Sequence, residues 1–367
     1  MIREGLFMHP ILYRKKTKLR FFAALLLLAL CIRLLCTPGA RESVWKTITA
    51  VLRSETLLRT VVFLETGILP NRNEAALPAD ADVFPDAPAF SSCETVGETE
   101  APEIPEAKVV AEAVTETTSP VEEISFSPEE ADAIRFRGDC SYEVDKAELL
   151  LRPLGWQNEA GPKVLIIHSH SCESYTQCDG HSYIPSANYR TLDLENNVVA
   201  VGDALAEALA ALGVELIHDR TYNDYPDYNS SYAVARKKIQ DYLEQYPSIV
   251  MVLDLHRDAL ENPVRETVEL DGQTVAPLML VIGTDEGGLH HPHWEDNLSC
   301  GLKLQALANR EDPDLFKRIS FRQSRFNGDL TRGSLIVEVG STENTLPEAC
   351  AAMPYLAQYV EELLRCP

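Results

Sequence analysis

The stretch KVLIIHSHSCESY, residues 163–175, decides the fold because a buried strand runs directly into metal-type side chains. Its aliphatic run VLII, with a Gly-Pro pair before it and polar residues after it, is typical of a buried strand. His168, His170 and Glu173 follow this run within a few residues. Because buried imidazoles and carboxylates require polar partners, the end of this strand is a candidate site.

Strand and helix patterns alternate after residue 140, which predicts an α/β fold with a layered α/β/α sheet. The strand patterns are KVLIIHSH, VELIHD, SIVMVLDLHRDA, LMLVIGT and GSLIVEVGS. The helix patterns are LENNVVAVGDALAEALAALG, SSYAVARKKIQDYLEQYP, NLSCGLKLQALANRE and TLPEACAAMPYLAQYVEELLRC. Gly213 is predicted to end the first of these helices, because glycine readily adopts the left-handed conformation of the residue after a helix.

Three of the predicted strands end in residues suited to metal binding or acid-base chemistry. Functional sites in open α/β sheets gather at the carboxyl ends of strands, so His170, Glu173, His256 and Glu338 are predicted to converge. His170 and Glu173 are three residues apart and face the same way if the chain turns helical there. With His256 they make the two-histidine, one-carboxylate set of a catalytic zinc site. Glu338, inside an apolar strand, is then the carboxylate that moves protons.

Three of these residues also have a structural explanation. Glu173 would be favoured at a helix N-terminus by the helix dipole. His256 is followed by Arg257 and Asp258 and could belong to an ion-pair cluster, and Glu338 could pair with Arg325.

Residues beside the predicted ligands are expected to hold the ligands in place. His168 is either an interior histidine or one that supports a ligand. Asp254 or Asp258 could orient a ligand histidine through its second ring nitrogen, as carboxylates commonly do around metal ions.

Charge and composition limit the possible partners and divide the chain. The net charge of −23 on 367 residues excludes nucleic acid as a partner, because polyphosphate repels such a chain. Between residues 74 and 132 there are sixteen acidic residues and one basic residue, which predicts a disordered acidic linker over residues 71–139. The nine cysteines match no zinc-finger or CxxC spacing. Cys172 and Cys178 could pair, although separate thiols are favoured.

The N-terminal part of the chain is predicted to attach it to a membrane. Residues 1–20 form a basic tail, residues 21–36 an apolar anchor and residues 37–70 an amphipathic juxtamembrane segment. The basic flank places the N-terminus in the cytoplasm, so the folded domain predicted for residues 140–367 lies outside a single-pass anchor in the cell membrane. A cleavable signal peptide is the alternative for the anchor, and a helix for a partner protein is the alternative for the amphipathic segment.

Five motifs, in this order, resemble the stage II sporulation protein P family. They are VLIIHSHSCESY, NNVVAVGDALAEALAALGVELIHD, MVLDLHRDA, RFNGDL and LIVEVGSTENTLPEA, and the resemblance covers residues 163–364. It implies a membrane-anchored peptidoglycan hydrolase that is similar to zinc N-acetylmuramoyl-L-alanine amidases and also cuts peptide cross-links. It implies further that the protein acts in engulfment alongside sporulation proteins D and M. It also implies that His170, Glu173 and His256 are the zinc ligands and that Glu338 is the catalytic glutamate.

Other residues are assigned to the surroundings of the ligands or to substrate contact: His168, Arg257, Asp258, Arg325, Asn327 and Asn344. The sequence departs from the family pattern at Gly328, where Gln is usual, and at Phe326, where Tyr is usual. Two other functions stay open: a metallo-endopeptidase that cuts only peptide cross-links, and a non-catalytic scaffold that binds peptidoglycan or a partner protein.

Overall fold

The computed structural model describes residues 108–110, 124–156, 159–259 and 264–366. The predicted basic tail, membrane anchor and amphipathic segment, together with most of the predicted linker, lie outside these residues. Within the described ranges, no helix has both the length and the apolarity needed to cross a bilayer.

The described part of the chain is built on one eight-stranded sheet with the order β1-β4-β3-β5-β10-β8-β9-β2. The strands of this sheet are β1 (Lys108–Val110), β2 (Phe136–Gly138), β3 (Val164–Ile167), β4 (Leu216–His218), β5 (Met251–Asp258), β8 (Leu278–Gly283), β9 (Ile319–Arg322) and β10 (Ser334–Ser341), and β6 (Val268–Leu270) and β7 (Gln273–Val275) form a separate hairpin. Strands β4, β3, β5 and β10 are parallel, whereas β8 is antiparallel to β10 and parallel to β9. The predicted α/β class is therefore confirmed, with a mostly parallel sheet.

Helices cover both faces of the sheet. They are α1 (Pro128–Ala133), α2 (Lys146–Leu151), α3 (Val198–Ala211), α4 (Ser231–Gln245), α5 (Trp294–Glu311), α6 (Leu346–Ala351) and α7 (Met353–Leu364). Helix α3 begins at Asn197, whose side chain accepts a hydrogen bond from the Val199 amide. Gly213 follows the helix with a φ of +81°, and the next amide bonds back to Leu209. The predicted glycine end of this helix is thus confirmed.

Alternation along the strands assigns each side chain to one face of the sheet. Val164 and Ile166 of β3 belong to the main core, which includes residues of α3, α5 and α7. Leu165 and Ile167 point to the other face and pack with residues of α4. Since successive strand residues alternate between faces, Asp254, His256 and Glu338 lie on the α4 side of the sheet. The sheet therefore carries its candidate site on the α4 face.

The folded region begins earlier than the sequence suggested. Helix α1 begins with a capping box formed by Ser127 and Glu130, and β2 pairs in parallel with β9. Strand β1, farther towards the N-terminus, pairs antiparallel with β4. The linker predicted for residues 71–139 therefore does not extend to residue 139, and the domain boundary predicted at residue 140 is too late. A six-residue helix and three-residue strands depend on their tertiary partners, so an acidic, proline-rich sequence gives little local indication of them.

Candidate active site

The predicted site residues converge at the edge where β3, β5 and β10 end. His256 of β5 and Glu338 of β10 are direct register partners in neighbouring parallel strands. Strand β3 pairs with the other side of β5, so the loop after it delivers His170 and Glu173 to the same place. His170 is 3% exposed, Glu173 6%, His256 1% and Glu338 3%. Residues that are far apart in sequence thus form one buried polar cluster.

Glu173 and His256 contact each other directly. The Glu173 Oε2 atom lies 3.4 Å from the His256 Nδ1 atom. Glu173 also accepts a hydrogen bond from the Arg257 amide at 3.2 Å, and its other oxygen lies 3.3 Å from the Arg257 guanidinium. The ring of His170 stands nearly perpendicular to that of His256, with 5.4 Å between centroids. Arg257 therefore anchors the Glu173 carboxylate beside the His256 imidazole.

The charges in this cluster are set by burial and by the neighbouring carboxylates. Burial opposes the charged form of Glu173, but Arg257 and His256 outweigh it and hold the pKa of this carboxyl well below its usual range. Burial also opposes the charged form of His256, yet Asp254 and Glu173 raise its pKa well above normal. Burial lowers the pKa of His170 to about 4, so this imidazole is neutral at pH 7. The His256 imidazole is therefore protonated and positively charged, whereas the His170 imidazole is neutral and can act as a metal ligand.

Asp254, and not Asp258, contacts the His256 ring. Its Oδ1 atom lies 3.0 Å from His256 Nε2, on the opposite side of the ring from Glu173. The Ser169 amide and hydroxyl donate to Asp254 at 2.7 and 2.5 Å. Asp258 instead pairs with Arg137 at 3.2 Å. Asp254 thus directs the Nδ1 side of the His256 ring toward Glu173, as a carboxylate does behind a metal-bound histidine.

Glu338 lies in this cluster without a salt-bridge partner of its own among the described residues. Burial raises its pKa to about 8, His256 opposes that effect, and the charge of Asp258 adds to it. Its Oε2 atom is buried and has no hydrogen-bond partner within the described ranges. Arg325, the alternative partner suggested by the sequence, contacts Asp329 at 3.3 Å. A raised pKa and an open oxygen are properties of a group that exchanges protons.

The donors fit a divalent cation in kind, but they are not arranged around one. Over the residues that the structure describes, no group of three or more His, Cys, Asp or Glu side chains has a geometry that could hold a metal ion. Two imidazoles and a carboxylate are nonetheless a common zinc donor set, and ligands must be deprotonated to bind. Among the described residues, the buried Nδ1 atom of His170 has no hydrogen-bond partner, and the positive charge on His256 is held between two carboxylates. A divalent cation bound to this set would replace that charge.

His168 belongs to a separate, fully satisfied network. Its Nδ1 atom donates to the Leu255 carbonyl at 3.2 Å, and its Nε2 atom lies 2.8 Å from His218 Nε2. His218 Nδ1 in turn lies 3.2 Å from the carboxylate of Asp203. Burial, followed by the neighbouring His218, lowers the pKa of His168 to about 3. His168 is therefore an interior histidine that ties β3 to β5 immediately before His256.

Sequence reasoning missed the residues that pack around His170. Asp224 accepts hydrogen bonds from the Ser171 hydroxyl and from Arg190, and its Oδ2 atom lies 3.8 Å from His170 Nδ1. Tyr228 stacks flat on the His170 ring with 4.6 Å between centroids, and the Arg190 guanidinium lies over Tyr228. The density of tyrosines in TYNDYPDYNSSY was the available signal, because this segment follows a strand of the site edge.

The remaining predicted residues have structural contacts away from the donors. Asn327 donates to the Tyr232 carbonyl at 2.9 Å, and Asn344 donates to the Glu266 carbonyl at 2.8 Å. Gly328 lies against His291, whose Nε2 atom would be 2.7 Å from a β-carbon at this position. This close approach explains why a glycine occupies the position. Cys172 and Cys178 are both free thiols.

Comparison with known proteins decides the family. A family model described as "Stage II sporulation protein P (SpoIIP)" matches residues 86–361. The chain belongs to the stage II sporulation protein P family. A curated relative, "Stage II sporulation protein P" of Bacillus subtilis (strain 168), is 25% identical over 211 residues. That match covers 54% of this chain and 50% of the relative, so the chain spans about half the length of the curated relative it matches.

Several solved structures are similar to the chain at low identity. One is N-acetylmuramoyl-L-alanine amidase AmiC2 of Nostoc punctiforme, at 11% identity and a TM-score of 0.34, covering 56% of this chain and 97% of that one. Another is the CwlD amidase from Clostridioides difficile in complex with the GerS lipoprotein, at 13% and 0.35, covering 55% and 96%. At these identities and TM-scores, the likenesses carry no information about chemistry.

Proposed function

We propose that this member of the stage II sporulation protein P family is a zinc-dependent amidase of peptidoglycan. It hydrolyses the bond between the lactyl group of N-acetylmuramic acid and L-alanine. The observation that carries the proposal is the buried cluster in which His170 and Glu173, His256 and Glu338 meet from the ends of three strands. Membership of the family supports peptidoglycan as the substrate.

His170, Glu173 and His256 would hold the ion. When bound, it would polarise the scissile carbonyl and lower the pKa of the attacking water. Arg257 fixes Glu173 through its amide and guanidinium, and Asp254 fixes the His256 ring from behind. Both contacts exist before substrate arrives, so little reorganisation is needed during the reaction.

Glu338 carries the proton transfers. Its Oε2 atom accepts a proton from the attacking water, whose oxygen forms the new bond to the carbonyl carbon. It then gives that proton to the nitrogen of L-alanine as the carbon–nitrogen bond breaks. Burial, which raises the pKa of Glu338 to about 8, suits a group that must both take and return a proton near neutral pH.

The cellular setting is part of the proposal. The chain is anchored in the cell membrane by residues 21–36 and acts on the wall outside it during engulfment. Sporulation proteins D and M are the proposed partners. The basic residues before the apolar segment support this orientation.

The test is product analysis with the full chain. Purified protein loaded with one equivalent of Zn²⁺ is incubated with sacculi, and the soluble products are identified by mass spectrometry. Free stem peptides and peptide-free glycan are the expected products, and they should be absent with Glu338→Gln. Cleaved cross-links with every peptide still on its glycan would instead identify a metallo-endopeptidase. Binding to sacculi without any release would identify a scaffold.

A further inference from the structure

A second feature of the site edge is a groove of about 840 Å³ beside the hairpin β6–β7. Its volume falls in the range of small-molecule and peptide sites. Charged side chains of both signs line it: Arg137, Lys317, Arg318, Glu266, Glu269 and Asp314. Nothing in the proposed hydrolysis uses these side chains.

Sheet topology places the groove at the same edge as the candidate active site. Strand β8 is antiparallel to β10, and β9 is parallel to β8. The starts of β8 and β9 therefore lie at the edge where β10 ends. Pro277 precedes β8, and Lys317 and Arg318 precede β9, so these three groove residues lie at that edge.

A pair of side chains joins the groove to Glu338. The Arg137 guanidinium, which lines the groove, contacts the Asp258 carboxylate at 3.2 Å. Asp258 lies at the end of β5, two residues after His256. Its negative charge adds to the effect of burial in raising the pKa of Glu338. The Asp258–Arg137 pair therefore links the surroundings of Glu338 to the groove.

The groove offers charges that its own residues do not neutralise. Lys317 pairs with Glu266 at 2.6 Å. Arg318 is exposed and forms no ion pair with any described residue, and the same is true of Asp314 and Glu269 among the carboxylates. A ligand that matches this lining carries both a carboxylate and an ammonium group.

We propose that this groove binds the stem peptide of the substrate, with Arg318 receiving a free carboxylate and the acidic side chains receiving a free amine. This assignment rests on the proposed function, because it places the peptide beside the amide that Glu338 helps to cleave. Stem peptides carry both charges within one short chain, whereas the glycan backbone is uncharged. Arg318 is thus a specificity residue and not a catalytic one.

The test uses the full chain and a purified disaccharide–tripeptide, whose peptide ends in diaminopimelate. Arg318→Ala should raise KM about fivefold, and Arg318→Glu about tenfold or more, with kcat unchanged, as for the loss of a partly exposed charge pair. The effect should disappear on a substrate whose peptide carboxylates are amidated. Arg332→Ala is the matched control, since this exposed arginine precedes β10 at the opposite edge and should leave KM unchanged.

Binding to the Glu338→Gln chain separates this inference from the proposed function. Calorimetry with the same disaccharide–tripeptide should show weaker binding in Glu338→Gln/Arg318→Ala than in Glu338→Gln alone. If the wild-type chain releases peptide but Arg318→Ala alters neither KM nor this affinity, the groove assignment is wrong and the amidase stands. If no variant turns over but binding depends on Arg318, the amidase is wrong and the groove assignment stands.

Discussion

Two pairs of buried histidines lie at the same edge of the sheet, and they differ in whether their nitrogens are satisfied. In the first pair, His168 and His218 approach to 2.8 Å, and their outer nitrogens reach a carbonyl and a carboxylate. In the second, the rings of His170 and His256 stand perpendicular at 5.4 Å, and His170 Nδ1 has no partner within the described residues. The first pair, His168 and His218, is a closed network in which each ring nitrogen has a polar neighbour. The second pair, His170 and His256, is open, because His170 Nδ1 remains available to a ligand.

Within the one motif of residues 163–175, His168 therefore serves the stability of the fold and His170 its function. A buried polar group that is fully hydrogen-bonded strengthens the fold, while an unsatisfied one costs free energy and is retained for another reason. His168 and His170 are two residues apart, yet the fold sends their side chains into these two different settings. Substitutions should therefore affect stability on one side and chemistry on the other.

The largest expected effect is on the chemical side. Glu338→Gln should lower the rate of peptide release from sacculi at least about 10³-fold, because the proton acceptor is lost. The melting temperature should not fall, since the substitution introduces a neutral amide where the Oε2 atom of the buried carboxyl has no hydrogen bond within the described residues. Glu207→Gln, on the exposed side of α3, is the control and should keep full activity. A Glu338→Gln variant that retains a tenth of the rate would remove Glu338 from the mechanism.

The closed pair should respond in stability. His168→Phe leaves His218 and the Leu255 carbonyl without their partners, so the free energy of unfolding should fall by about 2–4 kcal/mol. Denaturant titration of the full chain measures this loss. His170→Phe, in which no satisfied hydrogen bond of Nδ1 is broken, should cost less. Equal losses for the two variants would contradict the distinction between the pairs.

An intermediate effect, on zinc affinity, is expected for Asp254, which contacts the His256 ring of the open pair. Asp254→Asn should weaken Zn²⁺ affinity about 10- to 100-fold, because the amide holds the His256 ring less strongly. Competition with a chelating dye measures the dissociation constant. Asp258→Asn is the matched control, since Asp258 contacts Arg137 and not a ligand. The same affinity in both variants would assign Asp254 no role in ligand orientation.

The smallest effect concerns the space around the closed pair. A β-carbon at Gly202 would lie 2.5 Å from His218 Nε2 and 2.6 Å from His168 Nε2. Gly202→Ala should therefore destabilise the chain by about 1–2 kcal/mol, despite the better helix propensity of alanine. Gly301→Ala in α5 is the control, because its nearest neighbour would be the flexible end of Ile282 at 3.2 Å. Equal melting temperatures for the two variants in calorimetry would mean that the His168 and His218 side chains can move to accommodate the added methyl group.

The sequence predicted the parts of the site that depend on strand pattern. The apolar runs before His170, His256 and Glu338 identify buried strands, and a parallel sheet brings the ends of such strands together. The role of Asp254 could only be narrowed to two carboxylates, because Asp254 and Asp258 lie on the same face of β5, two residues before and two residues after His256. The pairing of His168 with His218 was not predictable, since it joins side chains fifty residues apart. Tertiary pairing also sets the elements before residue 140, which composition had assigned to a linker.

Metal content tests the central claim most directly. The full chain, its His256→Ala and His170→Ala variants and its His168→Phe variant are equilibrated with Zn²⁺, desalted and analysed by plasma mass spectrometry. One zinc per chain is predicted for the wild type and for His168→Phe, and essentially none for the two ligand variants. Zinc that is absent from the wild type, or that remains in both His170→Ala and His256→Ala, would contradict a shared ion at this edge of the sheet.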